Sequence, residues 1–86
     1  MAKWTIIRNE AQIYKDGEAY NDADISWLPS DVQAVQSPDG ASCFLEKDGG
    51  QEYVSDTSIL SWWASVDTSW QAAKTAWENA QPGGAD

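Results

Sequence analysis

Hydrophobic and polar residues alternate over the first two-thirds of the chain, which predicts short β-strands. The first run is Trp4–Arg8, and Lys15-Asp16-Gly17-Glu18 predicts a hairpin, because Asp-Gly accepts the positive φ of a tight turn. Three further alternating runs lie within residues 32–54, separated by Ser37-Pro38-Asp39-Gly40 and by Lys47-Asp48-Gly49-Gly50. We therefore expect a hairpin followed by a three-strand antiparallel meander.

From Ser55 onwards the hydrophobic period changes to the 3–4 spacing of one helix face, carried by Ile59, Trp63, Val66, Trp70, Ala73 and Trp77. This stripe predicts one long amphipathic helix over about residues 57–80, with N-cap candidates in Ser55–Ser58. We expect it to dock on the sheet, although the spacing also suits a helix–helix seam. The predicted fold class is α+β: a small antiparallel sheet packed with this helix in a single domain, 1–80. A flexible tail, 81–86, is expected to follow.

The composition excludes several chemistries. The chain has 86 residues, no histidine and one cysteine, Cys43, so Ser-His and Cys-His catalysis and an internal disulfide are not available. Cys43 lies in a predicted strand and is expected to be a buried, inert thiol. Asp22–Ser26 begins like a calcium loop, but Trp27 and Gln33 stand where glycine and the closing glutamate belong. We expect a non-enzymatic protein without metal or cofactor.

Charge restricts the partners. The net charge is −9, and eleven of the 14 acidic residues lie in residues 10–56. This balance argues against direct binding to a nucleic-acid backbone or to an anionic membrane. It leaves one alternative function open, an acidic inhibitor that mimics nucleic acid and occupies a host DNA or RNA enzyme. No apolar run reaches the length of a membrane span, and we expect no signal peptide at Met-Ala-Lys-Trp.

Tryptophan is the unusual component, with six residues in the chain. Large rings build a small core efficiently, yet exposed tryptophan and tyrosine also anchor interfaces. Trp62 lies beside the helical stripe and is the expected exposed ring. The candidate contact residues are Trp62, Trp77, Trp27, Trp70 and Tyr20. A third possible function is glycan binding, because Tyr20-Asn21-Asp22 with Trp27 has the composition of a sugar platform.

The segment Ile25-Ser26-Trp27-Leu28-Pro29-Ser30-Asp31-Val32-Gln33-Ala34-Val35-Gln36, the Pro-Asp-Gly turn after it and the tryptophan-spaced helix together resemble small proteins of tailed bacteriophages, especially phages of marine bacteria. The similarity covers roughly residues 25–80. It implies a virion-associated structural protein, such as a capsid decoration or a tail or fibre component, made in the bacterial cytoplasm. Its partners would be other virion proteins or further copies of itself.

Overall fold

The computed structural model describes residues 2–80, which form one antiparallel sheet and one long helix. The elements are β1 (Trp4–Ile7), β2 (Gln12–Lys15), β3 (Glu18–Tyr20), β4 (Val32–Ser37), β5 (Cys43–Lys47), β6 (Gly50–Val54) and α1 (Trp63–Asn79). The six strands are ordered β3-β2-β1-β4-β5-β6, and every neighbouring pair is antiparallel. The α+β class predicted from the sequence is confirmed. The tail predicted at 81–86 lies outside the described residues.

The predicted hairpin and meander both form. Asp16 and Gly17 join β2 to β3 with φ of 48° and 95°, the two positive values that a tight two-residue hairpin turn needs. Strands β4, β5 and β6 follow one another as the meander. The connection at residues 21–31 carries the chain back from the edge strand β3 to β4, which pairs with β1 in the middle of the sheet.

The core lies on one face of the sheet, called here the inner face. Ile13, Ile6, Val35 and Leu45 lie opposite one another across four adjacent strands, and at most 4% of each is exposed. β-branched and leucine side chains suit such a row, because they pack well on a pleated surface. Within residues 2–80 no α-helix packs on the opposite, outer face, which holds the alternate residues of each strand.

The helix begins later than the sequence predicted. Residues Thr57–Ile59 form a separate 3₁₀ turn, and α1 starts only at Trp63. The reason is the anchoring of Thr57, whose hydroxyl donates to the Gly40 carbonyl at 2.7 Å and whose amide donates to the Ala41 carbonyl. These bonds hold the 3₁₀ turn against the β4–β5 loop, and Ile59 is consequently 73% exposed rather than part of the helix stripe.

Helix α1 packs across β2 and β3 on the inner face, as expected from its apolar stripe. Val66, Trp70 and Ala73 are buried there. The Lys15 ammonium lies 5.1 Å from the Trp4 ring centre and 4.9 Å from that of Trp70, a cation–π arrangement between two strands and the helix. No helix within the described residues is long and apolar enough to cross a membrane.

The connection at residues 21–31 closes the rest of the inner face. Leu28 and Ala23 are buried in the core, and Trp27 is half-buried beside them. Arg8 fixes the end of this connection, since its guanidinium donates to the carbonyls of Val32 at 2.7 Å and of Pro29. A planar, permanently charged donor group serves well here, because it can satisfy several carbonyls at once.

Candidate functional site

A groove runs between the edge strand β3 and the C-terminal half of α1, with a volume of about 470 Å³. We call it the aromatic groove. Its wall is formed by the rings of Tyr20 and Trp77, whose centres are 5.7 Å apart at a tilt of 57°. Its volume falls in the range of ordinary ligand pockets.

The spacing of small residues along α1 creates the groove. Alanines at positions 73, 76 and 80 follow one another at intervals of three and four, so they share one face of the helix. Their methyl groups leave space beside β3 that larger side chains would fill. Trp77 follows Ala73 by four residues and closes the groove on one side. It is 52% exposed, and among residues 2–80 it is the one tryptophan whose side chain is exposed rather than buried or half-buried.

Tyr20 connects the groove to the core. Its ring meets the buried Trp70 edge-on at 5.6 Å, and the same ring contacts Trp77. The Trp70 indole N–H donates to the Glu18 carbonyl at 3.1 Å, which fixes α1 against β3. Trp77 is therefore exposed on a helix that is bonded to the sheet rather than on a loop.

Charged and polar groups surround the rings. The Tyr20 hydroxyl donates to the Glu18 carboxylate at 2.7 Å, and this bond raises the pKa of Tyr20 and lowers that of Glu18. Lys74, 3.6 Å from the same carboxylate, lowers the pKa of Glu18 further. At the other end, the Gln12 amide donates to the Asn21 side-chain oxygen at 2.8 Å.

The structure separates the predicted sugar platform. Tyr20, Asn21 and Asp22 line the groove together, but Trp27 lies elsewhere and Trp77 takes the place expected for it. Trp27 stacks on Trp62, with ring centres 5.6 Å apart and an angle of 16°, and its indole N–H donates to the Ser69 hydroxyl at 2.8 Å. The tryptophan that completes the platform comes from the helix instead.

The five candidate contact residues thus occupy three kinds of environment. Trp70 is 6% exposed and belongs to the core. Trp62 and Trp27 are half-buried and stacked together, so the expectation that Trp62 would be the exposed ring is wrong. The remaining two, Trp77 and Tyr20, lie side by side in the aromatic groove.

Sequence reasoning overlooked a second aromatic pair, on the outer face of the sheet. Phe44 and Tyr53 are 36% and 56% exposed, and their rings are 4.9 Å apart. The signal was present in the alternation of β5, which places Phe44 on the face opposite to Cys43 and Leu45. Tyr53 then follows from its register opposite Phe44.

The other groups considered for catalysis or metal binding are buried or hydrogen-bonded within the fold. Cys43 is fully buried, and burial raises the pKa of its thiol to about 11. The Asp24 carboxylate accepts the Ser26 amide at 3.0 Å within its own loop. Among residues 2–80 no group of three or more carboxylate or thiol side chains is placed to hold a metal ion.

No protein-family model, curated protein or solved structure shows significant similarity to this chain. The aromatic groove and the chain's own surface are therefore the features that indicate its function.

Proposed function

We propose that this protein is a non-enzymatic interaction module that binds a neighbouring protein through the aromatic groove. The observation that carries the proposal is the position of Trp77, which is 52% exposed on α1 and contacts the Tyr20 ring. Because the sequence also resembles small phage proteins, we infer that the protein is a structural component of a tailed-phage virion. A capsid decoration or a tail- or fibre-associated protein, held in several copies, fits this reading.

The energetics of protein interfaces support the assignment. Tryptophan and tyrosine dominate interface hot spots, since each ring brings large contact area with few rotatable bonds. Contact between Tyr20 and both Trp70 and Trp77 orients the groove wall before a partner arrives, which lowers the entropy cost of binding. A partner would also stabilise this small domain by mass action, because it binds only the folded chain.

The test is incorporation into particles. Phage carrying Trp77→Ala should contain at least tenfold less of this protein per particle, measured by quantitative mass spectrometry of purified virions. Ile59→Ala is the matched control, because Ile59 is 73% exposed yet lies in the 3₁₀ turn outside the groove. Absence of the wild-type protein from particles, or equal copy numbers for wild type and Trp77→Ala, contradicts the proposal.

Glycan binding is the second candidate, favoured by the polar groups that the groove places beside its rings. Sugar rings pack their apolar faces on indoles, while carboxylates and amides bind the hydroxyls. Asp22, Asn21 and Gln12 supply such groups next to Trp77. Isothermal titration with neutral oligosaccharides tests this, with Trp77→Ala and Asp22→Ala expected to abolish binding and Ile59→Ala to retain it. No heat with any oligosaccharide on the wild-type protein excludes the candidate.

A further inference from the structure

The two edges of the sheet differ in how much backbone they leave open. β3 is three residues long, and its Glu18 carbonyl accepts the Trp70 indole N–H from α1, which packs against this strand. β6 spans five residues, Gly50–Val54, in unbroken register with β5, and its first four residues are exposed. Within residues 2–80 no other strand pairs with this edge, and an open edge of this length is a template for pairing with another strand.

The hairpin geometry identifies the groups that point outward from β6. The two-residue turn joins Lys47 to Gly50, and the residue pair that flanks such a turn is hydrogen-bonded. Because bonded and non-bonded pairs alternate along an antiparallel ladder, the backbone groups of Gln51 and Tyr53 face away from β5. These two residues can therefore exchange hydrogen bonds with a further strand.

The side chains at this edge are compatible with close approach. Tyr53 packs on Phe44 at the outer face, and both rings are exposed at the end of the sheet. The one charged residue of β6 is Glu52, which lies on the opposite face and pairs with Lys47 at 2.5 Å. On the outer face Glu46 lies on β5 opposite Gln51 and accepts a hydrogen bond from the Gln51 side-chain amide, so β6 itself presents no charged side chain on that face.

We propose that β6 pairs antiparallel with β6 of a second copy, around a two-fold axis at Tyr53. Two copies offer the same open edge with the same outward groups, so the contact closes on itself as a dimer. An axis at Glu52 would set the two Glu52 carboxylates directly opposite, and like charges there are unfavourable. An axis at Gln51 would place Glu52 against Gly50, which brings no side-chain contact.

The register at Tyr53 avoids both problems. It sets Glu52 against Val54 of the second copy and places the two Tyr53 rings side by side. The rings of Phe44 and Tyr53 then form a row of four across the axis, continuing the 4.9 Å contact seen within each copy. The result is one sheet of twelve strands, six from each copy.

The dimer would place the aromatic grooves at opposite ends. Each groove lies at the β3 edge, so eleven strand spacings separate the two β3 strands, roughly 50 Å. Self-association and groove binding are therefore independent, and either can fail without the other.

The test is the mass of the full chain in solution, measured by native mass spectrometry and light scattering at 1–100 µM. The wild-type protein should be a dimer at the upper concentrations. Tyr53→Pro removes an amide that faces outward and leaves the ladder to β5 intact, so it should fold and weaken the dimer at least tenfold. Tyr53→Val is the matched control, since it keeps this amide and should still dimerise.

Several results would overturn the pairing. A wild-type protein that stays monomeric at 100 µM excludes it, and so does a Tyr53→Pro variant that dimerises as strongly as wild type. If Tyr53→Val is as monomeric as Tyr53→Pro, the dimer depends on the tyrosine ring and not on backbone hydrogen bonds of β6, and the proposed strand pairing is wrong. Should Tyr53→Pro not fold, Gln51→Pro and Gln51→Ala repeat the comparison at the other outward position. Trp77→Ala should dimerise like wild type, which separates this test from that of the proposed function.

Discussion

Trp70 and Trp77 are the same residue type on the same helix, two turns apart, but they should contribute very differently to stability. Trp70 is 6% exposed, and replacing a buried tryptophan by alanine costs about 3–5 kcal/mol. Trp77 is 52% exposed, and its removal leaves no internal cavity, so Trp77→Ala should cost about 1–2 kcal/mol. A domain of 86 residues has a total stability of about 4–13 kcal/mol, so Trp70→Ala removes much of it.

Urea unfolding followed by far-UV circular dichroism measures both variants without relying on indole fluorescence. With a slope of about 1 kcal/mol/M, the midpoint should fall by roughly 1–2 M for Trp77→Ala and roughly 3–5 M for Trp70→Ala. Trp70→Phe keeps a ring but loses the N–H bond to Glu18, and should lie between the two. If Trp77→Ala is as destabilising as Trp70→Ala, Trp77 is a core residue and the groove is not a surface for a partner.

Four further perturbations test the stability of the fold and the proposed pairing of β6. Arg8→Met should cost about 2–4 kcal/mol in urea unfolding, because carbonyls of the connection lose charged donors, and Arg8→Lys should recover only part of it. Hydrogen bonds lower the pKa values of the Asp39 and Asp56 carboxyls from 3.8. These bonds therefore stabilise the folded state above about pH 4, and the stabilisation is lost as the pH falls through the folded-state pKa values. The melting temperature should fall between pH 6 and pH 2.5, and Asp39→Asn should make this fall less steep. The Cys43 thiol should be unreactive to a disulfide reagent at pH 8 in the folded protein and react fully in urea, because burial raises its pKa to about 11. Dimerisation through β6 should strengthen between 50 and 500 mM NaCl, because salt screens the repulsion between two copies of charge −9; weakening would point to charge pairs instead.

Local chemistry made much of the fold predictable. The turn at Asp16-Gly17 is specified by residues that accept positive φ, and the three strands of the meander are neighbours in sequence. The apolar stripe of α1 likewise indicated which residues face the sheet, and Val66, Trp70 and Ala73 do so. The turn and the meander depend on contacts close in the chain, and the stripe depends on the local period of the helix.

Features that depend on distant contacts were not predictable in the same way. The late start of α1 results from Thr57 bonding to the β4–β5 loop, 17 residues earlier. The exchange of Trp27 for Trp77 beside Tyr20 results from the packing of α1 across β3, which no local pattern encodes. Trp27 and Trp77 are the same residue type, so composition does not distinguish them and only the tertiary arrangement does.

The wide separation in sequence between the two sides of the groove has a consequence for the order of folding. The bond from the Trp70 indole to the Glu18 carbonyl and the ion pair between Lys15 and Asp67 each span 52 residues, whereas the meander closes through short loops. Loop closure over such distances is slow and entropically costly, so the meander should assemble first and α1 should dock last. Native-state hydrogen exchange should then find the lowest protection in the last turns of α1. The binding surface would be the final part of the domain to form and the first to open.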